Sequence, residues 1–225
     1  MSLNQRLHVA LGGLTVLLLT AAVTISLPAQ ADSPAFEAGR HYEVLSVPVR
    51  TSDPERLEVV EVFSYGCVHC FNLEPVIESW LEQVDEDVNF VRVHAAFDRE
   101  WAHLASIYYT ARALDVVEQV HMPVFEAIHL QRNDIFRTEN VARLFNQHAD
   151  VSEREFLEVF NSTGVDTRVR QADGQVRMYR ARGVPTMIVE GRYRTDGNMA
   201  GSNNRMLDVV DFLLEKERAA RAEQD

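Results

Sequence analysis

Residues 57 to 71 read Leu-Glu-Val-Val-Glu-Val-Phe-Ser-Tyr-Gly-Cys-Val-His-Cys-Phe, a β-branched run that hands over to two cysteines three residues apart. The segment 57–64 has the composition of a buried strand. Beyond the cysteines, Leu73, Val76, Ile77 and Trp80 recur at helical spacing, which predicts a helix from the cysteines to about Val84. Cys67 and Cys70 are the only cysteines in the chain. A strand running straight into a helix, with Cys-x-x-Cys at the junction, constrains the fold more than any other stretch.

Three uses of such a pair compete. As a structural staple, a disulfide across so short a loop adds only about 2 kcal/mol in the chain-entropy model, and a chain this long has core enough without it. As half of a zinc site it needs a second half, but no other cysteine exists and His94, His103, His121, His129 and His148 are scattered. As a redox dithiol it is well placed. The first sulfur falls at a helix N-terminus, where unpaired N–H groups and the helix dipole favour a thiolate. The second lies one turn inside, within reach of a mixed disulfide. His69, between them, can set a donor or a positive charge beside Cys67. No metal is expected.

The N-terminus indicates where such chemistry takes place. Residues 1–31 hold Arg6, an apolar run from Val9 to Leu27 and an Ala-Gln-Ala ending, the pattern of a secretory signal cleaved after Ala31. The competing reading is an uncleaved anchor, since the run nearly reaches bilayer length. Export permits disulfide chemistry. The whole chain carries a formal charge of −12, and setting aside the leader with its single Arg6 makes the remainder −13. Such a surface repels nucleic acid and anionic membrane.

Along the remaining chain, "HYEVLSVPV" (41–49) predicts an edge strand limited by Pro48. "VNFVRVHAAF" (88–97) predicts a third strand, giving a β-β-α-β opening. Apolar positions then indicate helices around Trp101–Leu114, Val124–Ile128 and Val141–Phe145, and "SERE" (152–155) is a capping box that starts another. A longer helix is expected from about Asp166 to Ala181. "PTMIVEGRY" (185–193) reads as strand, Glu-Gly turn, strand, and Met206 to Leu214 as a final amphipathic helix. An α/β unit is thus interrupted by a block of helices.

"EVFSYGCVHCFNLEP", the helical interruption and "RGVPTMIVEGRY" together resemble the DsbA family of thioredoxin-fold thiol:disulfide oxidoreductases, over most of residues 41–215. The resemblance implies an α/β thioredoxin fold from residues 32–97 and 169–225, with an inserted all-helical domain over 98–168. The 115 residues from Cys70 to Pro185 leave room for that insertion. It further implies a cis Val184-Pro185 bond facing the dithiol, with Val184 offering backbone groups to a bound peptide. Glu61 matches the acid that the family buries beneath its cysteines, able to relay the Cys70 proton; by itself it reads equally as an exposed strand residue. Glu74 matches another family acid, although helical glutamates are usually solvated.

The chain also departs from the family. Val68 stands where proline is commonest, a change expected to affect helix order and potential modestly. The lysine that some members pair with the buried acid is missing, leaving Arg92 or His94 as replacements. By resemblance the protein is a monomeric periplasmic oxidase needing no cofactor. It passes its disulfide to unfolded exported proteins and is reoxidised by a DsbB-like quinone-coupled membrane partner. The rival readings are a reductase or isomerase of the same compartment and a non-catalytic peptide-binding chaperone. Once the leader is set aside, only about ten residues precede the first strand, short of the N-terminal dimerisation domain that isomerases of this fold usually carry.

Overall fold

The computed structural model describes residues 36–132 and 134–223; the leader expected over residues 1–31 lies outside the described residues. Five strands form one mixed sheet: β1 (Glu43–Val44), β2 (Leu57–Phe63), β3 (Val88–His94), β4 (Thr186–Val189) and β5 (Tyr193–Asp196), in the spatial order β1-β5-β4-β2-β3. β2 and β3 are parallel and joined through helix α1 (Val68–Leu81); every other pairing is antiparallel. All seven residues of β2 are buried, which is why its sequence is nearly continuous in apolar residues.

Each face of the sheet has its own core. On one side Leu57, Val59 and Met187 pack with Leu73 and Ile77 of α1 and with Val210 and Leu213 of α8 (Arg205–Ala222). On the other, Val60, Val62 and Val93 meet five helices: α2 (Arg99–Ala113), α3 (Val117–His129), α4 (Thr138–Ala149), α5 (Glu153–Phe160) and α6 (Thr163–Met178). A short helix, α7 (Gly197–Ala200), links β5 towards α8.

Several boundaries differ from the sequence expectation. The edge strand expected over 41–49 shrinks to Glu43–Val44, because beyond it only isolated bonds, Leu45 N–H to Arg192 and Val49 N–H to Gly191, hold the segment to the β4–β5 turn. The third strand stops at His94, and Asp98 then caps α2 by accepting from the Trp101 N–H. α1 ends at Leu81. The long helix starts at Thr163 because Ser162 caps it, and helix follows helix to Met178, past residue 168. Ser152 accepts from the Glu155 N–H, as the capping-box pattern requires. The Glu190-Gly191 turn has both residues at positive φ, the primed geometry that suits a tight hairpin. A side chain at Gly191 would collide with the Val49 carbonyl.

Candidate active site

β2 delivers the chain through Ser64-Tyr65-Gly66 to Cys67, the N-cap of α1. A side chain on Gly66 would meet Leu104 Cδ1 at 3.1 Å, so glycine lets this approach pass close under α2. Cys67 Sγ accepts the Cys70 N–H at 3.2 Å, the bond a serine or threonine hydroxyl makes at most helix starts. The two cysteines are free thiols, and both are buried, Cys67 with 8% of its surface exposed and Cys70 with none.

This setting separates the two thiols. A hydrogen bond from the Cys70 thiol brings Cys67 down to about 6; burial opposes it, and the N–H groups of Cys70 and His69 and the His69 imidazole add to the lowering. Burial, with the same bond and the charge of Glu61, pushes Cys70 far up. One sulfur is therefore a thiolate near neutral pH while the other keeps its proton. Val68 and His69 are exposed on the first turn, Val68 at 47%.

The β4 loop faces this pair. The Val184–Pro185 bond is cis, Pro185 is buried, and the Cys67 thiol points at the Val184 carbonyl at 3.5 Å. A chain bound to Cys67 would thus lie against the backbone of Val184. A cleft of about 930 Å³ is lined by the 46–50 segment and α6 rather than by the cysteines.

Beneath the dithiol lies a cluster of charge. Glu61 and Arg92 are register partners on β2 and β3 and point to the α1 side, where Glu74 comes down one turn after Cys70. Arg92 forks between them: its Nε donates to Glu61 Oε2 at 3.1 Å and its Nη2 to Glu74 Oε2 at 2.7 Å. Both carboxyls are fully buried, so the exposed alternatives for Glu61 and Glu74 do not hold. Arg92, not His94, takes the place of the missing lysine. Burial, aided by the charge of Glu74 and opposed by Arg92, raises Glu61 to about 8. Its buried Oε1 accepts no hydrogen bond and is the natural seat of a proton. Glu74 is pushed up by burial but held below its usual value by His121 and Arg92.

Several residues of the site had no clear sequence signal. His94, His121 and His129, which looked scattered, converge on Tyr65. His94 Nε2 accepts the Tyr65 N–H at 3.0 Å, His121 Nδ1 lies 3.0 Å from the Tyr65 hydroxyl, and His129 Nε2 bonds the Tyr65 carbonyl at 2.8 Å. Burial depresses His94 to about 3, which keeps that ring neutral. His121, Phe125 and His129 recur every fourth residue along α3, and that stripe was the available clue. Phe71, just past Cys70, stacks on His129 with ring centroids 5.3 Å apart. Among the described residues, no cluster of three or more His, Cys, Asp or Glu is arranged to hold a metal.

Residues 58–211 match the model of the DSBA-like thioredoxin domain. The thiol:disulfide interchange protein DsbA of Pseudomonas aeruginosa is 39% identical over 203 residues, spanning 90% of this chain and 95% of that protein. The protein of the same description from Pseudomonas syringae pv. tomato is 38% identical, over 90% and 94%. The crystal structure of Pseudomonas aeruginosa DsbA superposes with a TM-score of 0.78 at 38% identity, covering 83% of this chain and 97% of that one. The oxidoreductase DsbA from Xylella fastidiosa gives 0.75 at 28% identity, over 81% and 98%.

Proposed function

We infer this protein's working reaction from its family: the chain belongs to the DSBA-like thioredoxin domain family and is a thiol:disulfide oxidoreductase of the DsbA type. In the working cycle its Cys67–Cys70 disulfide is the reagent. A substrate thiolate attacks Cys67 Sγ, the Cys67–Cys70 bond breaks, and a mixed disulfide forms between substrate and Cys67. Cys70 leaves as a thiolate and takes a proton from Glu61. A second substrate thiolate then attacks the substrate sulfur of the mixed disulfide. Cys67 leaves as a thiolate, the substrate is oxidised by two electrons, and the protein is left as the dithiol.

The observation that carries this reading is the division of labour at the helix start. Cys67 is stabilised as a thiolate and faces the backbone of Val184, while Cys70 is buried, protonated and influenced by Glu61. A stabilised Cys67 thiolate makes the reduced form favourable and the disulfide oxidising. His69 sets a donor or a positive charge at the mouth of the site, and Val68 and Glu74 tune the helix start and the acid pair. Val184 and Pro185 receive the substrate backbone.

Residues 32–97 and 169–225 act as the thioredoxin-like part and 98–168 as the helical cover. The leader exports the chain to the periplasm, where unfolded exported proteins with reduced cysteines are the substrates and a DsbB-like quinone-coupled membrane protein restores the disulfide. The enzyme works as a monomer.

The test mixes oxidised protein with a reduced, unfolded multi-cysteine protein and counts thiols. Wild type should remove two substrate thiols per molecule. Cys67→Ser should remove none, and Cys70→Ser, which cannot hold the Cys67–Cys70 disulfide, should likewise remove none. A Cys67→Ser variant with full activity would overturn the assignment.

A further inference from the structure

Arg92 satisfies one oxygen of Glu74 and leaves Oε1, buried, to another partner. That partner comes from the helical segment. His121 of α3, 6% exposed, sets its Nε2 3.1 Å from Glu74 Oε1, at ion-pair distance but off hydrogen-bond alignment. Its other nitrogen is held 3.0 Å from the hydroxyl of Tyr65, a fully buried residue two before Cys67. The rings of Phe63 and Phe125 pack against the imidazole edge-on and restrict its tilt. The contacts therefore run without a break from Glu61 through Arg92, Glu74 and His121 to Tyr65.

We propose that His121 is a positioning residue for proton transfer at Cys70: by occupying Glu74 Oε1 it keeps Glu74 ionised and Arg92 shared between Glu74 and Glu61. The proposal rests on the relay role given to Glu61 above. Without His121, one oxygen of a buried carboxylate faces no polar partner, which favours its protonated form. A neutral Glu74 frees Arg92 to serve Glu61 alone and removes the like charge beside Glu61. Both changes favour ionised Glu61, so its titration moves to lower pH and it becomes a weaker base. The other titratable or charged groups around the ring are Arg92 and His94 from β3, Tyr108 from α2 and Tyr65; only Arg92 is a fixed charge.

The step that reads this is the Cys70 attack on a Cys67–glutathione mixed disulfide. Cys70 Sγ bonds to Cys67 Sγ, the Cys67–glutathione bond breaks, glutathione leaves as its thiolate, and Glu61 accepts the Cys70 proton. The mixed disulfide is formed from reduced protein and glutathione disulfide, acid-quenched at intervals and quantified by mass spectrometry from pH 5 to 9.

In wild type the rate should rise with a midpoint set by Glu61. His121→Leu should move that midpoint down by roughly one pH unit and lower the plateau by about three- to tenfold. His121→Gln, which retains a donor, should restore most of the midpoint. Tyr65→Phe, a near-isosteric change, should shift it the same way but less, and it serves as the test should His121→Leu fail to fold. Glu61→Gln should abolish the rise. A rise that survives Glu61→Gln overturns the relay itself. A rise lost in Glu61→Gln but unmoved in His121→Leu and Tyr65→Phe, whatever their thermal midpoints, overturns the role of His121 alone.

Discussion

Replacing Glu61 by glutamine should make the protein more stable, and increasingly so as the pH rises. A glutamate titrates at about 4.5 when unfolded, whereas in the fold burial lifts Glu61 to about 8. Between those values the native state holds a proton that the unfolded state has released. The unfolded state binds fewer protons there, so native stability falls with rising pH. By pH 7 about two and a half pK units of that penalty have accrued, or about 3 kcal/mol at 1.36 kcal/mol per unit. The glutamine amide is neutral throughout and escapes it, while the acids outside the Glu61–Arg92–Glu74 cluster act alike in both proteins. Urea denaturation of the two reduced proteins at pH 4.5, 6, 7 and 8 isolates the effect. The stability difference should grow in favour of Glu61→Gln by about 1 kcal/mol per unit and level off near pH 8. A difference that stays flat over that range would refute the claim that Glu61 is protonated in the fold.

The thiolate absorbance of Cys67 near 240 nm should titrate with a midpoint near 6 in the reduced protein and vanish in Cys67→Ser; a midpoint near that of a free thiol would contradict the N-cap account. Arg92→Met strands the buried, ionised Glu74 beside a protonated Glu61 and should cost about 3 kcal/mol at pH 7.5, less at pH 5 where Glu74 can take a proton too, as urea midpoints at the two pH values will show. Val68→Pro places proline on the first helical residue and should stabilise the reduced form by about 0.4–1 kcal/mol by thermal unfolding, with a thiolate midpoint moved by less than one unit.

The strand-to-helix junction was legible because its signals are local. Seven consecutive residues fit a buried strand, four apolar positions fit the following helix, and the cysteines lie between them. The cis Val184–Pro185 bond and its approach to Cys67 join positions 117 residues apart, and no local pattern encodes that; the family resemblance supplied it. Glu61 could be placed on β2 but not assigned to a face, since every neighbour on that strand is buried. Its partner became clear only with the β2–β3 register, which sets Arg92 beside it. Glu74 and His121 looked like surface helix residues because the helix that covers Glu74 comes from a different part of the chain. The edge strand was over-read for the opposite reason: alternation over 41–49 persists where no strand pairs with it.

The central claim is that Cys67 and Cys70 form an oxidising pair because the fold stabilises the Cys67 thiolate. The most direct measurement is the equilibrium potential of that couple in glutathione buffers at pH 7, using the mature protein and following the dithiol fraction by acid trapping. The account predicts a value towards the oxidising end where DsbA proteins themselves lie, near about −120 mV. A value near about −270 mV, that of thioredoxin-like reductants, would contradict it and leave a DsbA-type fold whose dithiol runs the reaction in the other direction.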